Sequence, residues 1–329
     1  MLHTTLWFLA TFTPAILSLA PQPGHAQSPP DKRILLVAAL AAGTGLDIVA
    51  RTFAERLSQR IGQPVIVENR PGAAGLAAAE FVQRAEPDGA TLGVVTSAIM
   101  ATRPTMFKKP PYDPLKDFVP VSLYLKAPLV LVVDPRLPIN SVPDLIAYLK
   151  ANRGKVSFSS PSVGGASHLS AEYLKQMFDV DMTHVPYRNS PQAIGDVAAG
   201  HVPLTFAESG ASLGLIRDGA LRALAVTSTV RLSRLPDVPP FAEAAGKPGF
   251  EAVSWHMLIA PAATPKAVVD RLLAEMKSIM GDAGMQARIA GHGLLPLDPP
   301  SIEDSRRYIA SEIDKWGKLV ASLGLAGSI

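Results

Sequence analysis

Arg33 to Val95 reads RILLVAALAAGTGLDIVARTFAERLSQRIGQPVIVENRPGAAGLAAAEFVQRAEPDGATLGVV, and its periodicity decides the fold class. Ile34-Leu35-Leu36-Val37 is a short strand-like run, and Asp47 to Ile61 then carries apolar residues at helical spacing. Val65-Ile66-Val67 is strand-like again, Leu76 to Arg84 reads as helix, and Thr91 to Val95 as strand. The order βαβαβ specifies an α/β protein whose mainly parallel sheet is flanked by helices, with ligands beyond the C-terminal ends of the strands.

Downstream, Met100 to Pro120 breaks the rhythm with five prolines and reads as a long surface excursion. A second alternating series follows. Strands are expected at 129–133, 156–159, 182–185, 202–206 and 221–227, and helices at 142–152 (capped by Ser141 or Asn140), 166–178, 191–199 and 211–218. The Pro-rich segment 231–248 separates this series from a strand at 253–260 and helices at 265–280, 284–290 and 301–323. Two series with a Pro-rich junction at each end suggest two α/β lobes and a cleft between them. Periodicity leaves open whether the chain crosses between them once or twice.

Composition narrows the function. The 329 residues are 48% hydrophobic and 18% charged, with a mean hydropathy of +0.21, which excludes a disordered chain. The charge balance, 31 basic against 28 acidic residues, contains no Lys/Arg run of the kind that nucleic acid or an anionic membrane requires. Cysteine is absent, which excludes disulfides, thiolate metal sites and a Cys nucleophile. Leu6 to Ala20 is largely apolar, and Pro21 to Ala26 supplies a breaker and small residues for cleavage after Ala26. Residues 1–26 therefore read as a signal peptide, although the n-region lacks Lys and Arg. About 15 apolar residues interrupted by Pro14 fall short of the roughly 20 that a spanning helix needs.

Three loops lie where strand ends meet helix starts: Ala41 to Asp47, Asn69 to Gly75, and Ser159 to His168. Glycine allows close backbone approach, and a helix N-terminus offers unpaired N–H groups, so each can hold an anion; each can equally be simple turn chemistry. Enzyme signatures are thin. Gly43-x-Gly45 lacks the third small residue of a dinucleotide fingerprint, and there is no Gly-x-Ser-x-Gly elbow or His-Glu-x-x-His helix. The mature histidines are scattered rather than spaced as metal ligands. His168, at a helix start, could donate to an acidic ligand, Glu208 sits at an expected strand tip, and Tyr187-Arg188-Asn189 could close over a ligand.

Several segments carry a resemblance: Asp47-Ile48-Val49-Ala50-Arg51, Glu68-Asn69-Arg70-Pro71-Gly72, Pro87-Asp88-Gly89, Tyr112-Asp113-Pro114, Ser167-His168-Leu169, His184-Val185-Pro186-Tyr187 and Leu235-Pro236-Asp237-Val238-Pro239. Together they resemble the Bug family, the TctC-type periplasmic solute-binding proteins of tripartite tricarboxylate transporters, over essentially the whole mature chain. The resemblance implies a two-lobed Venus-flytrap fold of the type II periplasmic-binding-protein kind, with lobe 1 formed by residues 27–124 and 229–329 and lobe 2 by residues 125–228. It implies a ligand pocket of Gly43, Thr44, Gly45, Ser97 and Ala98 on one side, and Gly164, Gly165, Ser167, His168, Tyr187, Ala207 and Glu208 on the other. A small organic acid would be the ligand and membrane transporter subunits the partners, with no cofactor, no metal and no nucleic acid, for a periplasmic monomer.

Departures from the family pattern bear on the ligand. The first loop lacks the prolines and aromatic of the usual pattern, and Gly164-Gly165-Ala166-Ser167-His168 lacks two of its hydroxyls. The expectation is a ligand less polar than a di- or tricarboxylate, such as an aromatic or monocarboxylic acid. Two other functions compete: a ligand-dependent sensor that docks a signalling partner, and an exported enzyme using His168 and Glu208 as acid and base.

Overall fold

The computed structural model describes residues 33–39 and 41–329. The expected signal peptide and Leu40 lie outside the described residues.

The first strand, β1 (Ile34–Ala38), is continuously apolar because both of its faces are covered. Leu36 shares a core with Val49, Phe53 and Leu57 of α1 (Gly45–Ile61), whereas Val37 shares one with Ala78, Ala79 and Val82 of α2 (Leu76–Gln83). β1 pairs in parallel with β2 (Val65–Asn69) and β3 (Thr91–Thr96), as the βαβαβ pattern requires.

The segment after β3 differs from expectation. Ala98–Thr102 is π-helical and Arg103–Met106 forms a 3₁₀ turn, with Ile99, Met100 and Ala101 fully buried. The buried Tyr112 hydroxyl donates to the Ile99 carbonyl at 2.8 Å. Only Lys108 to Pro110 and Lys116 are exposed, so the surface excursion expected over 100–120 is corrected to a largely buried helical passage and the start of a strand. That strand, β4 (Phe118–Ala127), contains Pro120. A proline without an N–H is tolerated because its pairing with Ile259 of β10 (Ser254–Pro261) falls at a register shift. On the other side of β4, β11 (Leu295–Pro296) pairs only with Leu125 and Lys126.

The first sheet has the order β11-β4-β10-β3-β1-β2. The second has the order β7-β6-β8-β5-β9, built from β5 (Leu129–Val133), β6 (Ser157–Ser160), β7 (Thr183–Pro186), β8 (Leu204–Glu208) and β9 (Arg222–Val226). Both sheets are mixed rather than mainly parallel. β10 runs antiparallel to β3 and β4, and β5 antiparallel to β8 and β9, because these are the strands by which the chain leaves one sheet and enters the other. Helices α3 (Val142–Ala151), α4 (Ala166–Phe178), α5 (Ser190–Ala199) and α6 (Ser209–Arg217) flank the second sheet. After α7 (Phe241–Ala244), the chain returns to the first sheet and adds α8 (Lys266–Met280), α9 (Ala283–Gly291) and α10 (Ile302–Ser322).

The passages between the sheets are tied together. Only Pro128 separates β4 from β5, and the buried Thr227 joins that point to the returning segment. The Leu129 N–H donates to Thr227 Oγ1 at 2.8 Å, the Thr227 N–H donates to the Leu129 carbonyl at 2.9 Å, and the Ala252 N–H donates to the Thr227 carbonyl at 3.2 Å. A third link is α10. Ile309 sits in the core with Trp255 of the first sheet, while Trp316, Leu319 and Val320 sit in the core of the second with Leu131 and Phe158. Between them the buried Glu312 carboxylate accepts from both indoles, Trp255 Nε1 at 3.0 Å and Trp316 Nε1 at 2.9 Å.

Candidate functional site

The first Gly loop is shaped from below by Asp47, only 3% exposed. Its carboxylate accepts from the Gly43 N–H at 2.9 Å, from Arg51 Nε at 3.0 Å and from Asn69 Nδ2 at 2.8 Å. Arg51 also donates to Asn69 Oδ1 at 2.8 Å, so the loops after β1 and β2 are one network. Burial works to raise the Asp47 pKa, but the hydrogen bonds from Arg51, Gly43 and Asn69 outweigh it and hold the carboxyl below its ordinary value. Thr44 caps α1: its hydroxyl donates to the Ala41 carbonyl at 2.9 Å and accepts from the Asp47 N–H at 3.3 Å. What this loop offers a ligand is therefore the first-turn backbone of α1 beginning at the exposed Gly45.

Ser97 and Ala98 follow β3. The Ser97 hydroxyl lies 3.0 Å from that of Ser254 on β10, and Ser97 and Ala98 line a cavity of about 10 Å³ with Ala166, Leu169 and Ser170 of α4. This cavity brings expected lobe 1 residues against the helix that carries the lobe 2 site. It admits roughly one water.

On the second lobe, the loop over 161–165 requires glycine at 164. Gly164 has φ +72°, and a Cβ there would meet Met106 Sδ at 2.5 Å, whereas a Cβ on Gly165 would meet only the rotatable hydroxyl of Ser162. Gly165 caps α4 without a side-chain hydrogen bond, which leaves that helix end to its backbone N–H groups. Beside them, the Ser167 hydroxyl is buried with no protein partner.

The other expected site residues take different tasks. His168 is buried, and its Nδ1 accepts from the Gly164 N–H at 3.0 Å, so the ring supports the loop from behind. The Tyr187 hydroxyl donates to Asp196 on α5 at 2.6 Å, and that bond pushes the phenol up to about 12. Ala207 is packed in the second lobe's core among Val130, Ile194 and Val197. Glu208 ends β8 and keeps contact with solvent, yet protein crowds it closely enough that desolvation raises its pKa. No hydrogen bond or ion pair joins it to His168, whose ring neighbours are Phe158 and His184. Sequence reasoning missed Met106, Ser254 and the supporting roles of Arg51 and Asn69. The one available signal was the spacing of Asp47 and Arg51, four apart on one helix.

A larger hollow of about 450 Å³ lies on the outer face of the second lobe, between α6 and Arg234 to Val238, and is lined by none of the expected ligand residues. Among the described residues there is no cluster of three or more His, Cys, Asp or Glu that could hold a metal, and no helix long and apolar enough to cross a membrane.

Residues 49–325 match the tripartite tricarboxylate transporter family receptor, TctC. The chain belongs to the TctC family. Similar proteins include BugT of Bordetella pertussis, 33% identical over 303 residues that cover 92% of each chain. Among solved structures, Rpa4515 of R. palustris with adipate is 34% identical with a TM-score of 0.80, covering 91% of this chain and 99% of that one. MatC from Rhodopseudomonas palustris with bound malate is 28% identical with a TM-score of 0.74, covering 88% and 99%. TctC is a solute-binding family, and the two-lobed α/β architecture agrees with its solved members.

Proposed function

We propose that this TctC protein captures a small organic carboxylate between its lobes and delivers it to a tripartite transporter, without catalysis. The observation that carries the reading is the uncapped N-terminal turn of α4 with the unpartnered, 94% buried Ser167 hydroxyl beside it, a combination that suits an anion. A buried hydroxyl left without a partner costs about 1–3 kcal/mol, which a ligand oxygen would recover. The pocket is proposed as Gly43, Thr44, Gly45, Ser97, Ala98, Gly164, Gly165 and Ser167, with Glu208 at its edge and His168, Tyr187 and Ala207 behind it. Adipate in Rpa4515 and malate in MatC, both small acids, support the ligand class. The sparse hydroxyls of this chain's loops favour a ligand less polar than citrate.

We also propose export by cleavage after Ala26; the intact mass of the periplasmic product should start at Gln27, and retention of residues 1–26 would refute it. The deciding test of function is a thermal-shift and calorimetric screen of the mature protein against mono-, di- and tricarboxylates and aromatic acids. The expected result is a rise in melting temperature with one class and no consumption of it, weakened about tenfold by Ser167→Ala. Turnover of the acid, or an unchanged affinity in that variant, would overturn the reading.

A further inference from the structure

Beneath the loop that opens α4, two imidazoles lie against each other. The rings of His168 and His184 are 4.1 Å apart between centroids, and Phe158 flanks them at 6.0 and 4.9 Å. Their partners fix which nitrogen carries the proton. The Gly164 N–H donates to His168 Nδ1 at 3.0 Å, so that nitrogen is bare and the proton sits on Nε2. Ser160 Oγ lies 3.0 Å from the Ser162 carbonyl, which can only accept, so the hydroxyl hydrogen goes there. The same oxygen then accepts from His184 Nε2–H at 2.7 Å.

The loop Pro161–Gly165 is thus held at both ends. At its start, a relay runs from His184 through Ser160 to the Ser162 carbonyl; at its end, Gly164 is fastened to His168. We infer that His184 on β7 is a positioning residue for the ligand site: through Ser160, and with His168 as second anchor, it holds Pro161–Gly165 in the shape that presents the first-turn amides of α4 and Ser167. This rests on the proposed use of that helix end for an anion.

The charged groups facing the pair are Glu172 and Lys175 of α4, with Asp181 3.9 Å from Lys175. From β6, Phe158 and Ser160 contribute no charge. Burial, His184 and Lys175 together bring His168 down to about 4, and burial and Lys175 also lower His184, so both rings are neutral at pH 7. Protonation of His168 at Nδ1 would set a donor against the Gly164 N–H and release the loop.

The test is made on the full mature protein without ligand, then with adipate as probe. Nitrogen-15 spectra at pH 7.5 should show both rings protonated at Nε2. Amide hydrogen exchange at Gly164 to Ser167 should quicken about tenfold in His184→Phe, which keeps the stack but loses the donor, and equally in Ser160→Ala. The double variant should add nothing further, and His184→Gln, which retains an N–H donor, should restore most of the protection. Adipate affinity should fall in the same order. If His184 Nε2 carries no proton, or if both single variants leave exchange at Gly164 to Ser167 unchanged, the inference fails. If exchange responds as stated but the parent protein binds no acid of the screen, the proposed function fails and the latch stands.

Discussion

Among the described residues, three buried polar atoms on β4 and β10 lack partners: the Ser122 and Tyr124 hydroxyls and His256 Nδ1. The two rings meet edge to face with centroids 6.5 Å apart, inside the apolar layer between the first sheet and helices α1, α8 and α9. Burial brings His256 from an ordinary 6.5 down to about 3. Between those values the unfolded chain takes up a proton that the folded chain refuses, so stability is complete above about 6.5 and declines as pH falls toward 3. His168 acts in the same direction, down to about 4. His256→Phe keeps the ring contact and removes the proton, so urea titrations should show stability close to the parent at pH 8. Between pH 6 and 4 the dependence should be shallower by up to about 1.4 kcal/mol per pH unit. Parallel curves for the two proteins would mean that another group carries the acid sensitivity.

At the scale of the element, α4 and its entry loop depend on a residue far away in sequence. Met106 Sδ occupies the space that a Cβ on Gly164 would need, and the positive φ adds strain of its own. Gly164→Ala should therefore lower stability by about 1–3 kcal/mol and weaken ligand binding, with denaturant midpoints as the measure. Combining it with Met106→Ala should recover the steric part of the binding loss and leave the part due to φ. Equal binding losses with and without the second substitution would place the whole effect in the backbone.

Elements with local signals were legible in the sequence. The helix over Val142–Ala151 has Ser141, one of the two candidates, as its cap, and the helix over Ile302–Ser322 falls within one residue of the expected 301–323 at each end. Prolines misled over 100–120, because Pro104 lies in the first turn of a buried 3₁₀ segment and Pro120 at a strand irregularity, positions where a missing N–H costs little. The site was half legible. Glycines and a helix start marked the loops, but the direction of a side chain depends on partners that no local pattern names, such as Asp196 for Tyr187 and Gly164 for His168. For that reason the loops of the candidate site were readable, while which of their side chains are turned to supporting contacts was not.

Across the whole molecule, Glu312 ties the two lobes at one point by accepting from an indole on each side. Glu312→Ala leaves two buried N–H donors without an acceptor and should cost about 2–5 kcal/mol in urea unfolding. Glu312→Gln keeps a carbonyl oxygen in place and should cost less than half as much. If the two variants were equally destabilised, charge rather than hydrogen bonding would be what the site requires.

The first sheet begins with β1 and is completed only by β10 and β11, and the second core closes only when Trp316 of α10 arrives. Neither half of the molecule can finish while the C-terminal quarter of the chain is missing. Pairings between residues this distant in sequence are expected to form slowly and late. Under the export proposed above, a polypeptide threaded through a membrane pore before it folds would gain from this delay, because its last helix is needed to close the second core.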